Sequence, residues 1–274
     1  MTAHDGFIWT TEAWGPALRS SALGEVADHF FTTRQLWLRG DGEPEDWRRV
    51  AETIGVPPPR LLRLTQVHGR AVFVHRGGGA EEGGSVTQAG DAAAATPVQA
   101  GWPAADISMT DDPRVALAIQ VADCVPLLLA DPSTGAVAAV HAGWRGTAAG
   151  AAIAAVEALR RGFGAEPVRL VVAVGPGIGP CCYAVGEELI DAFRSGGFGR
   201  EAERWFVRDA SGDLKLDVWA ANRDQLRAAG VPAGSIHASD LCTADRPDLF
   251  ASFRRDGPGA GRIAAVIRSR GSRP

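Results

Sequence analysis

Hydrophobic and polar positions switch between short apolar runs and longer helical patterns along the chain, and the switches mark its elements. Residues 61–67 and 71–75 are apolar runs broken at His68-Gly69, which predicts a strand pair; 115–121, 125–130 and 136–140 are three more short apolar runs separated by turn residues. Asp131-Pro-Ser-Thr-Gly135 has the composition of a hairpin loop between two of them. An Ala-rich helix is expected over 147–161, starting after Gly146 and stopped by Gly162 and Gly164. A buried strand over 168–174, helices over 186–194 and 218–229 and a last strand over 262–268 complete the pattern. This mixture predicts an α/β (α+β) fold, a layered sandwich of mixed β-sheet flanked by helices.

One stretch breaks the pattern. Residues 76–104 are dominated by Gly, Ala and small polar side chains, which bury too little surface to offset their ordering entropy. Apolar runs on both sides argue for a flexible surface insertion within one domain spanning 1–274, a lid over the site or a decoration of its rim. At 274 residues and 46% hydrophobic composition the chain can build one large core.

Charge narrows the partners. Twenty-eight basic against thirty-two acidic side chains leave a net −4, with no broad positive field for a nucleic-acid backbone. No apolar run reaches the roughly 20 residues that span a bilayer, and the N-terminus lacks a charged start before an apolar stretch, so neither a membrane nor export is expected and the protein is expected in the cytoplasm. Cys124, Cys181, Cys182 and Cys242 are too sparse for a disulfide framework, which leaves free thiols or metal ligands.

Candidate chemistry gathers at the ends of the apolar runs. His68 lies in Thr-Gln-Val-His-Gly, Cys124 in Ala-Asp-Cys-Val-Pro and His141 in Val-His-Ala-Gly-Trp-Arg-Gly. Antiparallel pairing through the 131–135 turn would bring Cys124 beside His141. Two imidazoles and a thiolate suit zinc and leave a fourth position for water or substrate, with Asp123 next to the cysteine to orient or deprotonate that water. Taken singly, each histidine also reads as a core or surface residue and each buried cysteine as a small hydrophobe, and both readings stand at this point. His4, His29, His75 and His237 are read as structural.

Five segments in order carry a more specific signal: Thr-Gln-Val-His-Gly (65–69), Ala-Asp-Ile-Ser-Met-Thr (105–110), Ala-Asp-Cys-Val-Pro-Leu-Leu (122–128), Val-His-Ala-Gly-Trp-Arg-Gly (140–146) and Gly-Pro-Gly-Ile-Gly-Pro-Cys-Cys-Tyr (175–183). Together with Leu216-Asp217, Asn222, Cys242-Thr243, Phe250, Ser252-Phe-Arg-Arg-Asp256 and Gly261-Arg262, they resemble the YfiH-like, laccase-domain family from Phe31 onward. The resemblance implies a single-domain α/β fold with a metal held by His68, Cys124 and His141. It also implies purine nucleoside phosphorolysis, with methylthioadenosine among the substrates, and adenosine deamination. Other names in the family are polyphenol oxidase and peptidoglycan editing factor. One departure is Tyr183-Ala184-Val185, where the family's Tyr-Glu-Val would supply a carboxylate.

Ligand arithmetic weighs those names. A multicopper oxidase needs roughly ten histidines, and the chain has six. A single blue-copper site would need a weak Met ligand, for which Met109 is the sole internal candidate. The expected function is therefore a zinc-dependent purine nucleoside phosphorylase with adenosine deaminase activity, taking nucleoside and phosphate as partners. The alternatives are hydrolysis of a cell-wall precursor amide, copper-dependent phenol oxidation, and a noncatalytic zinc module. For phosphate, Arg34 in a matching Thr-Thr-Arg motif, Arg145 ahead of the Ala-rich helix and Arg254-Arg255 are the candidates. Trp144 is a candidate to stack on a purine, and Gln66 joins Arg145, Trp144 and Arg254 as a substrate contact. The glycines of 175–179 lack the spacing of a dinucleotide fingerprint and are read as letting the backbone pass close to the pocket. Cys181 and Cys182 are read as packing.

Overall fold

The computed structural model of the protein describes residues 6–39, 44–77, 84–87, 96–97 and 101–272. It opens with β1 (Phe7–Glu12) and β2 (Gly15–Ser20), an antiparallel hairpin absent from the sequence expectations. A one-turn helix α1 (Ser21–Gly24) follows, capped by the Ser20 hydroxyl accepting from the Leu23 amide, and leads into β3 (Ala27–Phe31). Helix α2 (Pro44–Ile54) carries Glu45 and Asp46 in its first turn and buries Trp47, Val50, Ala51 and Ile54 at helical spacing. The strands β4 (Leu61–Leu62), β5 (Val72–His75), β6 (Gly84–Thr87), β7 (Thr96–Pro97), β8 (Ile107–Thr110), β9 (Ala116–Val121), β10 (Val125–Ala130) and β11 (Val137–Ala142) come next. The chain continues through α3 (Trp144–Ala148), α4 (Ala151–Phe163), β12 (Val171–Val174), α5 (Glu188–Phe193), β13 (Phe206–Arg208), β14 (Leu214–Leu216), α6 (Val218–Ala228), β15 (Ile236–Ala238), α7 (Phe253–Asp256) and β16 (Ile263–Ser269).

Two mixed sheets stack face to face. One runs β1-β2-β3-β16-β9-β4 and the other β15-β12-β10-β11-β8-β5-β6-β7. Alternation along each central strand explains the stacking. On β9, Leu117, Ile119 and Val121 point to the second sheet, while Ala116 and Ala118 point outward against α2. On β10, Leu128 and Ala130 face the first sheet, and Val125, Leu127 and Leu129 face a helical layer that includes α4 and α6. These strands are buried on both faces, so they read as continuous apolar runs. The resulting order is helix, sheet, sheet, helices, a layered α/β sandwich as expected. Each fully buried Leu, Ile or Val contributes roughly 1.5–3 kcal/mol, so the layer between the sheets and the layer between the second sheet and the helices are both large contributors to stability.

Several local expectations are corrected. The runs 61–67 and 71–75 are not a strand pair: only Leu61 and Leu62 form a strand, parallel to β9 in the first sheet, while β5 pairs with β6 and β8 in the second. The chain crosses between sheets at His68-Gly69. The helix expected over 147–161 is two helices, because Gly150 adopts φ 81°, a left-handed conformation that breaks the hydrogen-bond ladder between α3 and α4. The strand expected from 168 begins at Val171, after a 3-10 turn at Pro167–Arg169. The α-helix expected over 186–194 spans only Glu188–Phe193. Of the segment 76–104, β6 and β7 extend the second sheet; 78–83, 88–95 and 98–100 lie outside the described residues.

Candidate metal centre and substrate cavity

The hairpin between β10 and β11 builds the first half of the site. Its register pairs Val125 with Ala142 and Pro126 with His141, as the 131–135 turn predicts. His141 shares a strand face with Val137 and Ala139, the face turned toward the first sheet. Cys124 follows the same alternation on β10, one step beyond the strand's end. Gly143 sits opposite it: a Cβ there would lie 2.6 Å from Cys124 Sγ and 3.6 Å from the His68 ring. Only a residue without a side chain leaves room for the sulfur.

His68 arrives from the crossing between the sheets. Its backbone is left-handed, φ 61°, a sparse region for a residue with a Cβ, and a buried carboxylate holds it there. Asp106, just before β8, accepts from the His68 amide at 2.9 Å, from the Gly69 amide at 2.6 Å and from His141 Nδ1 at 2.7 Å. One side chain thus fixes the backbone that delivers one imidazole and the ring of the other. Asp106 stands in the motif 105–110, but sequence reasoning gave it no role; a buried carboxylate three strands from the ligands in sequence carries no local signal of what it orients.

The ligand atoms of His68, Cys124 and His141 all lie within 4.8 Å of one another, and the two imidazole planes stand at 78°. His68 is exposed, Cys124 half-buried and His141 buried, so the set opens on one side. Burial raises the Cys124 thiol, but His141 and His68 outweigh it and bring it down to about 6. Burial likewise opposes charge on His141, which the Cys124 sulfur and Asp106 nonetheless raise to about 9. The sulfur is therefore poised as the thiolate that ligates metals. Two nitrogens, one thiolate and an open side fit a metal of the zinc class. Met109 lies in the core between the second sheet and the helices and does not line the cavity, so a blue-copper axial thioether is not supplied.

The donors open into a cavity of about 660 Å³, within the range of small-molecule sites. Gln66, Asp123, Trp144, Arg145 and Arg254, all expected from the sequence, line it, together with Tyr183, Phe253 and Arg262. Arg34 does not: its guanidinium donates to the Pro247 carbonyl outside the cavity. Arg145 lies inside α3 rather than ahead of a helix, and its guanidinium stacks 4.3 Å from the Trp144 ring. Arg254 sits over Tyr183 and donates to the Ala184 carbonyl. Gln66 is committed to the frame, its amide donating to the Gln120 carbonyl at 2.8 Å and accepting from the Gln120 amide at 2.7 Å.

Asp123 also ties the frame together. At φ 88°, it accepts from the Thr243 hydroxyl at 2.7 Å and from the Arg254 amide at 2.6 Å. The amides of Gly175, Gly177 and Ile178 donate to the Pro126, Leu241 and Asp123 carbonyls, so this run braces the cavity wall and offers no phosphate cradle. Arg262 was missed; its position in a matching motif was the only signal. Among the described residues no helix is long and apolar enough to cross a membrane.

Comparison with known proteins gives the site its context. Purine nucleoside phosphorylase YlmD of Geobacillus stearothermophilus is 39% identical over 227 residues, covering 81% of this chain and 77% of that protein. An adenosine deaminase from an unknown prokaryotic organism is 41% identical over 154 residues, 56% of this chain and 58% of that one. The crystal structure of a hypothetical YfiH protein from Bacillus licheniformis superposes with a TM-score of 0.78 at 28% identity, covering 96% of this chain and 99% of that chain. The family model described as multi-copper polyphenol oxidoreductase laccase matches residues 44–270, and the chain belongs to that laccase-domain family.

Proposed function

We propose that the chain is a metal-dependent purine nucleoside phosphorylase with adenosine deaminase activity, using zinc on His68, Cys124 and His141. The observation that carries this reading is the charge of the cavity: three guanidinium groups, Arg145, Arg254 and Arg262, against one carboxylate, Asp123, on the walls that hold the open donor set. A phosphate dianion is the co-substrate that such a lining favours. The relatives' names point the same way.

In phosphorolysis a phosphate oxygen forms a bond to the sugar C1′ while the C1′–N9 bond breaks, its electron pair leaves with the purine, and the purine takes up the proton that the hydrogen phosphate gives up. The arginines hold the phosphate in line and offset its charge. Trp144, Tyr183 and Phe253 supply apolar faces for the base. Asp106 holds His141 in one orientation, and Asp123 holds the Cys124 turn against Thr243 and Arg254. When bound, the metal would supply Lewis acidity at the open side of the donor set. Incubating metal-replete protein with adenosine and phosphate should yield adenine and ribose 1-phosphate, with inosine from the deamination; no product overturns the reading.

A second reading follows from Cys124, His141 and Asp106, which stand in the order nucleophile, base and orienting carboxylate. In it the thiolate attacks an amide carbonyl of a cell-wall precursor, the amine leaves with a proton from His141, and water hydrolyses the thioester. Turnover of muropeptides by metal-free protein, with none of nucleosides by the metal-replete form, would favour it.

A further inference from the structure

The three cysteines outside the site described above come together. Cys181 and Cys182, from the turn after Pro180, and Cys242, from the segment after β15, place their sulfurs within 4.8 Å of one another. Cys181 Sγ lies 3.5 Å from Cys182 Sγ, and the Gly179 amide donates to Cys242 Sγ at 3.2 Å. A parallel bridge between Gly177 and Cys242 holds the two segments in this register. We propose that Cys181, Cys182 and Cys242 form a second, all-sulfur site that takes a soft monovalent cation of the copper(I) class.

The donor set selects the ion. Thiolates favour soft cations, copper(I) and zinc among them. A closed structural zinc site wants four ligands, and among the described residues no further His, Cys, Asp or Glu places a donor atom within 4.8 Å of all three sulfurs. Copper(I), with a filled d shell and no demand for a fourth donor, is satisfied by three sulfurs. Access is graded: Cys181 is exposed, Cys182 half-buried and Cys242 buried, so an ion enters from the surface and is gripped from below.

Its position gives it a consequence for the cavity. The first segment carries Ile178 and Tyr183 into the cavity wall, and the second carries Thr243 onto the Asp123 carboxylate. A cation shared by both segments would clamp that wall. The proposal stands independently of the nucleoside reading.

The test uses reduced protein, free of oxygen, competing for copper(I) against bicinchoninate. A Cys124→Ser background removes the thiolate of the first donor set, so what remains reports the second. That protein should retain one equivalent of copper(I), with sulfur and no nitrogen in its X-ray absorption shell. Adding Cys181→Ser, at an exposed position that leaves the fold intact by circular dichroism, should weaken retention at least about 100-fold, more than the loss of an outer partner costs. Retention unchanged by Cys181→Ser and by Cys182→Ser, no copper held by the Cys124→Ser protein, a nitrogen-containing shell, or zinc held in preference to copper(I) would each overturn the proposal.

Discussion

Asp106 Oδ1 lies 2.7 Å from His141 Nδ1, and that contact decides which ring nitrogen of His141 is left to face Cys124 and the cavity. A carboxylate behind an imidazole fixes its tautomer and raises its basicity. The same carboxylate also accepts from the amides of His68 and Gly69, so the two imidazoles are coupled through one residue that touches neither the cavity nor solvent.

Replacing Asp106 with Asn should lower metal affinity about 10- to 100-fold in a chelator competition, with turnover falling in step. Asp106→Ala should in addition lower stability in chemical denaturation by about 1.5–3 kcal/mol for each charge-assisted hydrogen bond lost, those from the His68 and Gly69 amides included. Unchanged metal retention in both variants would remove Asp106 from the site's frame.

Gly143→Ala places a methyl group 2.6 Å from Cys124 Sγ, so the sulfur must move or the strand end must shift. Metal content and activity should both fall while circular dichroism keeps the native spectrum. A fully active, metal-loaded alanine variant would contradict the close approach.

Arg262→Ala should raise the KM for phosphate and leave that for the nucleoside near its original value. The loss of one charge-assisted contact, about 1.5–3 kcal/mol, corresponds to roughly a 10- to 150-fold rise. Arg34→Ala, at a position outside the cavity, should change neither constant.

Gln66→Ala should act through stability. Its side-chain amide closes two hydrogen bonds with the Gln120 backbone, at the edge where the first sheet meets the cavity. A loss of about 1–3 kcal/mol in denaturant unfolding is expected. A pure rise in KM at unchanged stability would return Gln66 to the role of substrate contact.

His29 predicts a pH dependence. Burial holds its pKa at about 4, below the unfolded value of 6.5, and its Nε2 accepts from the Ser20 amide. Between pH 6.5 and 4 the unfolded chain takes up a proton that the folded chain refuses. The stabilising neutral state is therefore fully present above pH 6.5, and stability falls below it by about 1.4 kcal/mol per unit, roughly 3 kcal/mol by pH 4. His29→Gln should flatten the slope of unfolding free energy in that window by this amount.

The hairpin joining Cys124 to His141 was legible because everything that sets it is local. Turn residues at 131–135 between two short apolar runs fix the register, and the register fixes the neighbours. His68 was recognisable as a donor by its motif, but the route by which it arrives was not. The run before it and the strand after it belong to different sheets, a choice made by β9 and β8, strands more than thirty residues away in sequence. The break between α3 and α4 was missed for a related reason: a glycine inside an Ala-rich pattern is compatible with either a continuous helix or a left-handed turn, and packing decides.

The sequence by itself determined the mixed α/β character, most of the central strands, the kinds of donor atom available and the family. Tertiary structure alone decided that Asp106 serves both imidazoles, that Arg262 joins the cavity and Arg34 does not, that Gln66 is spent on the frame, and that three other thiols meet. Propensity and turn chemistry act over a few residues. Which side chains share a cavity depends instead on how two sheets, each apolar on both faces, settle against each other, and that is a property of the whole buried surface.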